Sequence, residues 1–264
     1  MEEMEAKPLV QTPVKGKVEC EYLGHCGFKI QFMDSKNNQR VIYIDLWNDA
    51  KDCPELLKAG PPNDADLSLV THGQIDHCKM APFLMMAGKK EDRKIICGAE
   101  VACFFALFQK IPMEAIKKMQ PGGNVNLGWC KITMVHAESS STVTNTTKPT
   151  RWATPIMTGG MGAGFVIDIT DHDLRIYHAG DTNMFSDMKI INDLYKPDIA
   201  MLPISDVEGM GPMEAAYCAK NFLPDVKTII PMGFGSFDEF TGTPEAFEDH
   251  CKELGVTATI MRPQ

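Results

Sequence analysis

The residues of this chain that are equipped for chemistry gather in two short runs. Thr71-His72-Gly73-Gln74-Ile75-Asp76-His77 places two imidazoles and a carboxylate within six residues, directly behind the β-rich stretch that ends at Val70. Imidazole and carboxylate both suit Zn²⁺, Mn²⁺ or Fe²⁺. A loop can aim residues at this spacing into one cavity, whereas a strand would send alternate side chains to opposite faces. The competing reading is a helix N-terminus capped by Asp76, with His77 exposed. The second run, Tyr177-His178-Ala179-Gly180-Asp181-Thr182, sets a carboxylate just after a strand and a glycine turn. Such a carboxylate serves either to bridge metals or orient a water, or only to cap the next turn.

The elements that position these runs alternate along the chain. "GKVECEYLGHCGFKIQF" reads as two strands around a turn at Gly24, and "RVIYID", "KIICG", "KITMVHA", "GAGFVIDI", "LRIYHAG", "DIAMLPI" and "VKTIIPM" as further strands. "AEVACFFALFQK" and the stretch from Phe185 to Tyr195 read as helices, and helix is expected to begin near His77. Pro212 opens another helix that Pro224 closes. Thr243, Pro244 and Gly255 supply N-cap, first residue and C-cap of the last one, and "VTATIM" ends the pattern. A Ser/Thr-rich stretch, Ser139 to Thr150, resembles a loop crossing a site. No linker divides the chain, so one α/β domain over residues 1–264 is expected, with residues 1–15 as a flexible arm.

With 264 residues the chain can bury a sizeable core, and its net charge of −9 without a basic block gives no nucleic-acid surface. The longest apolar run, Val101 to Phe108, is too short to span a bilayer, and the acidic start "MEEMEAKP" is not a secretory signal. A cytoplasmic protein is the expectation. Of the nine cysteines, several in apolar stretches, such as Cys103 and Cys218, read as buried free thiols in a reducing compartment, and no C-x-x-C pair exists.

Taken together, the motifs resemble the metallo-β-lactamase superfamily, and within it the predicted metal-dependent hydrolases related to L-ascorbate-6-phosphate lactonase. The resemblance runs from about Val18 through nearly the whole chain. It rests on "YLGHCGFKI", the His72–His77 run, "HAGDT", "LPISD" with "MGPMEAA", and "IIPMGFGSF" with "GTPEAF". It implies a four-layer αββα sandwich, two mixed sheets face to face between helices. The site should lie at one edge, between the loops of His72, Ser139, Asp181 and Gly233.

The resemblance also implies a ligand set that this chain only partly keeps. His72, Asp76, His77 and Asp181 match metal-binding positions, with Asp181 the bridging carboxylate. Three positions where the family carries histidine are here Gln74, Ser139 and Gly233. One metal position therefore retains Asp76, His77 and Asp181, and its neighbour only His72 and the shared Asp181. One divalent transition metal, Zn or Mn, is the expectation, and an empty site its rival. In the active reading a small ester, lactone or phosphate-containing molecule is hydrolysed, with Asp76, Asp181 or Glu138 handling the proton and His25, Gln74 and Ser139 binding substrate. In the rival reading the protein is catalytically silent and binds or scaffolds. Self-association is compatible with the resemblance. Cys78 is expected in helix packing, His178 beside the site, His172 exposed in a turn, and His250 on the polar face of the last helix. Lys79, Lys148 and Arg151 are candidates for the rim.

Overall fold

Period-two burial builds the first sheet: along Phe28–Met33, Phe28, Ile30 and Phe32 are buried while Lys29, Gln31 and Met33 are not. The computed structural model describes residues 18–88, 92–144 and 156–261. The expected arm, residues 1–15, and the rim candidates Lys148 and Arg151 lie outside them.

The first sheet holds β1 (Glu19–Tyr22), β2 (Phe28–Met33), β3 (Gln39–Ile44), β4 (Leu67–Leu69), β5 (Lys94–Gly98) and β6 (Ile116–Met119) in that spatial order. β1, β2 and β3 pair antiparallel, and β3 to β6 run parallel. The second sheet is built from β7 (Asn124–Asn126), β8 (Lys131–His136), β11 (Ala163–Ile169), β12 (Leu174–His178), β13 (Ile199–Pro203) and β14 (Thr228–Met232). Its order is β14-β13-β12-β11-β8-β7, with only β12, β13 and β14 parallel. A two-stranded ribbon, β9 (Thr142–Thr144) and β10 (Ile156–Thr158), stands apart from both.

The sheets pack face to face. Phe28, Ile30, Ile42, Ile44 and Leu69 of the first share one buried cluster with Phe165, Ile167, Ile176 and Met201 of the second. Helices cover the outer faces. The chain forms α1 (Glu55–Lys58), α2 (Ile75–Cys78), α3 (Ala81–Ala87), α4 (Ala99–Phe108), α5 (Met188–Tyr195), α6 (Pro212–Asn221) and α7 (Pro244–Leu254). Leu84 of α3 and Val101 and Phe105 of α4 bury against Tyr43, Ile95 and Cys97. Ala215 and Cys218 of α6 and Phe247 of α7 join the core behind the second sheet. This is the αββα sandwich.

Several local expectations are met by their own chemistry. Thr243 Oγ1 accepts from the Ala246 N–H at 3.2 Å, Pro244 follows it, and Gly255 closes α7 at φ +67°. His250 pairs with Glu253 on the outer face of that helix. Others are corrected. Cys103 is exposed, because α4 is apolar on both sides and turns that one outward, while the other eight cysteines are buried. His172 is buried, because Nε2 donates to the Met33 carbonyl at 2.8 Å and its ring lies edge-on to Phe32. "VTATIM" forms no strand and contributes a single bridge, Ala258 to Ile229. Helix begins at Ile75, before His77, with Gln74 at the cap position and no side-chain cap, so Asp76 is not the cap.

Parallel pairing fixes where the functional runs emerge. Ile44 of β3 stands opposite Leu69 of β4, so Asp45 and Thr71 leave the sheet side by side. His178, Pro203 and Met232 end the three parallel strands of the second sheet, which brings Asp181 and Gly233 to the same edge. Ala163 N–H donates to the Thr71 carbonyl at 3.1 Å and stitches the two edges together. Crevices at the carboxyl ends of parallel strands are where α/β folds place their ligands.

Candidate metal centre

Asp45 is the foundation of the site. It sits just past β3 at φ +43°, buried, where its Oδ1 accepts the Thr71 N–H at 2.9 Å. Oδ2 accepts from Thr71 Oγ1 at 2.5 Å and from His77 Nδ1 at 2.8 Å. With Nδ1 committed to Asp45, His77 turns Nε2 into the cavity. That nitrogen lies 3.1 Å from Asp181 Oδ2, 3.8 Å from Asp76 Oδ2 and 3.2 Å from His25 Nε2. His25 Nε2 in turn lies 3.2 Å from Asp76 Oδ2. The other oxygen of Asp181, Oδ1, accepts from the Cys26 thiol at 3.2 Å.

His72 is directed elsewhere. Its Nδ1 meets Thr71 Oγ1 at 2.9 Å and its Nε2 meets Gln74 Oε1 at 2.8 Å, while its ring packs 4.1 Å from that of His77. His178 is buried beside the site, where Nε2 donates to the Cys26 carbonyl at 2.9 Å and Nδ1 accepts from the Gly180 N–H at 3.2 Å. Cys78 packs in the core, its thiol directed at the Gly73 carbonyl at 3.2 Å. Lys79 is tied to Asp49.

The charges of the pocket follow from this packing. Burial pushes His77 toward neutrality, but Asp181, Asp76 and Asp45 outweigh it and hold the ring protonated well above the usual histidine range. Burial likewise opposes ionisation of Asp181, and His77, His72 and His25 together keep its carboxyl far below the ordinary value. Asp76, against its own burial, is drawn down to about 2 by His77 and by its hydrogen bond to His25. Burial and the neighbouring His77 charge lower His72, and burial lowers His178.

A cleft of about 390 Å³ opens beside this group, lined by Gln74, Glu138, Ser139, Ser140, Asn183 and Glu208 among others. Glu138 is exposed and its backbone is fixed by the Thr182 hydroxyl and the Asn183 N–H. Burial, then Asp76 and Asp181, raise the Glu208 carboxyl. Gly233 offers no side-chain metal ligand; its N–H donates to the His25 carbonyl at 2.7 Å.

The donors fit one divalent cation. Among the described residues, two groups have their ligand atoms within 4.8 Å of one another, His25-Cys26-His77 and Asp45-His72-His77. The second spends its Asp45 oxygens on Thr71 and His77. The first faces Asp181, where the field of three carboxylates favours a positive charge. Neither Gln74, Ser139 nor Gly233 adds an imidazole, so the set is too small for a pair of well-bound ions. Three contributors to this picture lie outside the two motif runs: Cys26, Asp45 and Glu208. A carboxylate straight after the buried run "RVIYI" is the signal that would have marked Asp45.

A two-sheet sandwich between helices, with an Asp/His cavity at the carboxyl edge of its parallel strands, defines the class. Residues 40–227 match the β-lactamase superfamily domain, and the chain belongs to that metallo-β-lactamase superfamily. It is 39% identical over 230 residues to a UPF0173 metal-dependent hydrolase of Koribacter versatilis, covering 86% of this chain and 88% of that one. Identity to a UPF0173 metal-dependent hydrolase of Rubrobacter xylanophilus is 35% over 253 residues, covering 94% and 95%. The fold is also that of Igni18, a metallo hydrolase of Ignicoccus hospitalis, with a TM-score of 0.72 and 24% identity over 93% of this chain and 95% of the other. None of these similarities ties the chain to L-ascorbate-6-phosphate lactonase in particular.

Proposed function

We propose that the protein is a hydrolase working with a single divalent metal held by His77 and Asp181, with Asp76 alongside. The observation that carries this reading is the arrangement of His77. Its Nδ1 is fixed by Asp45 at 2.8 Å and its Nε2 is presented to Asp181 at 3.1 Å. A carboxylate behind a histidine is the usual way to orient that ring toward a metal. The ion, when bound, lowers the pKa of water toward neutrality. Asp76, hydrogen-bonded to His25, is placed to take a proton from a water in the cavity, and Asp181 and Glu138 are further carboxylates for that role. Gln74 and Ser139 line the cleft a substrate would enter, and His25 is buried against Asp76.

The cleft lining favours an uncharged ester or lactone over a phosphate-bearing molecule. Among the described residues it carries Glu138 and Glu208 and no basic side chain. The relatives named as metal-dependent hydrolases support the reaction class. Metal analysis of protein prepared without chelator, followed by a panel of esters and lactones, tests the reading. Less than about a tenth of an equivalent of metal after reconstitution with Zn²⁺ or Mn²⁺ would sink it.

One observation favours a second reading, a silent relative that binds or scaffolds. A protonated His77 sits between Asp45 and Asp181 and offsets part of their charge without any ion. A protein that holds no metal yet unfolds cooperatively would support it.

A further inference from the structure

Cys26 follows His25 in the turn between β1 and β2, and three hydrogen bonds fix the backbone of that pair. Tyr22 Oη donates to the His25 carbonyl at 2.7 Å, the Gly233 N–H donates to the same carbonyl at 2.7 Å, and His178 Nε2 donates to the Cys26 carbonyl at 2.9 Å. His25 itself is held at φ +53°. The thiol so aimed is fully buried at the border of the apolar core, and its hydrogen-bond contact is Asp181 Oδ1, 3.2 Å away. Its sulfur lies within 4.8 Å of ring nitrogens of both His25 and His77.

The space it fills is informative. A Cβ built on Gly233 would stand 3.2 Å from Cys26 Sγ, so the sulfur occupies the room beside a position that offers no side chain. From there it shares the Asp181 carboxylate with His77 Nε2. The donors are gathered almost as closely as a coordination sphere requires. Ligand bonds of 2.0 to 2.3 Å at tetrahedral angles put neighbouring donors about 3.3–3.6 Å apart. Asp181 stands 3.1 Å from His77 Nε2 and 3.2 Å from Cys26 Sγ, through different oxygens.

We propose that Cys26 is a thiolate ligand of the metal centre, joining His77 Nε2 and Asp181, with the hydrogen-bonded pair His25–Asp76 bordering the fourth, open position. The proposal rests on the reading of this site as a metal centre and changes its ligand set. The first hairpin supplies the third donor, and Asp76 is left to hold His25. Binding replaces the S–H bond by a metal–sulfur bond, and the thiol proton leaves to solvent with no change of oxidation state. A set of one sulfur, one nitrogen and one carboxylate selects Zn²⁺ or Co²⁺ over Mn²⁺, which prefers oxygen donors.

Cobalt(II) substitution of the full-length protein tests this directly, because a thiolate bound to Co²⁺ gives an intense near-ultraviolet charge-transfer band. The band should appear in the native protein and in Cys78→Ser, whose thiol faces the Gly73 carbonyl instead. It should vanish in Cys26→Ser, and Zn²⁺ affinity should fall at least as far as the loss of an outer-shell partner takes it, about 10–100-fold. If Cys26→Ser fails to fold, X-ray absorption of the native zinc protein gives the answer, with a sulfur scatterer at about 2.3 Å expected. Bound Co²⁺ without the band, or a zinc shell of nitrogen and oxygen alone, overturns the proposal and leaves the single-metal hydrolase standing. No uptake of Zn²⁺ or Co²⁺ by the native protein overturns both.

Discussion

His77 Nδ1 and Asp45 Oδ2 lie 2.8 Å apart, and neither side chain has any exposure to solvent. The pair fixes which nitrogen of His77 faces the cavity. Asp45→Asn keeps the shape and removes the charge. Zn²⁺ affinity should fall by about 10–100-fold, as measured by competition with a chromophoric chelator. In the metal-free protein the His77 ring should titrate at lower pH than in the native one, because Asp45 is one of three carboxylates that raise it. Unchanged affinity would remove Asp45 from the account.

Restoring histidine at position 233 should not come free. Gly233 sits at φ +69°, and a Cβ there meets Cys26 Sγ at 3.2 Å. Gly233→His should therefore lose about 1–2 kcal/mol in urea denaturation from its backbone conformation alone. Crowding against the sulfur should add to that loss, and Cys26→Ala in the same chain should recover the added part only. Equal stability of Gly233→His and the native protein would contradict the crowding.

The accessible thiols provide a check on the packing. Cys103 is exposed and the remaining cysteines are buried. Native protein should react with one equivalent of a thiol reagent quickly and with the others only on unfolding, and Cys103→Ser should abolish the fast phase. A second fast thiol in that variant would place another cysteine at the surface.

Away from the site, Asp34 gives stability a pH signature. Burial opposes its charge, but the Asn38 N–H and the Arg40 guanidinium, 2.8 Å away, bring its carboxyl from 3.8 down to about 2. The folded value lies below the unfolded one. The stabilisation is thus present in full above pH 3.8 and is lost as pH falls through about 2. Arg40→Met should cost about 1 kcal/mol near neutrality, and the difference from the native protein should shrink as acid protonates Asp34. Arg40 also lies over the Trp129 ring at 5.2 Å, a contact that methionine partly keeps. A gap between the two proteins that is independent of pH would disprove the role of the charge.

Local signals were readable in the chain wherever local physics decides. The alternation of Phe28–Met33 and the cap residues Thr243, Pro244 and Gly255 each specify their element with neighbours in sequence. The His72–His77 run and Asp181 were visible because carboxylates and imidazoles cluster at strand ends. What stayed hidden depends on contacts far apart in the chain. Cys26 and Asp181 are separated by 155 positions and meet only when the two sheets pack. Asp45 reaches His77 because β3 and β4 pair in parallel, a register no short window contains. His172 looked exposed in its polar turn, and the Met33 carbonyl that buries it is 139 residues away.

The central claim is a single metal at His77 and Asp181. Crystals of the zinc-reconstituted protein, measured on both sides of the zinc absorption edge, test it most directly. One strong anomalous peak is expected in contact with His77 Nε2 and Asp181, and none between His72 and Gln74. Two strong peaks bridged by Asp181, or no peak near His77, would contradict it.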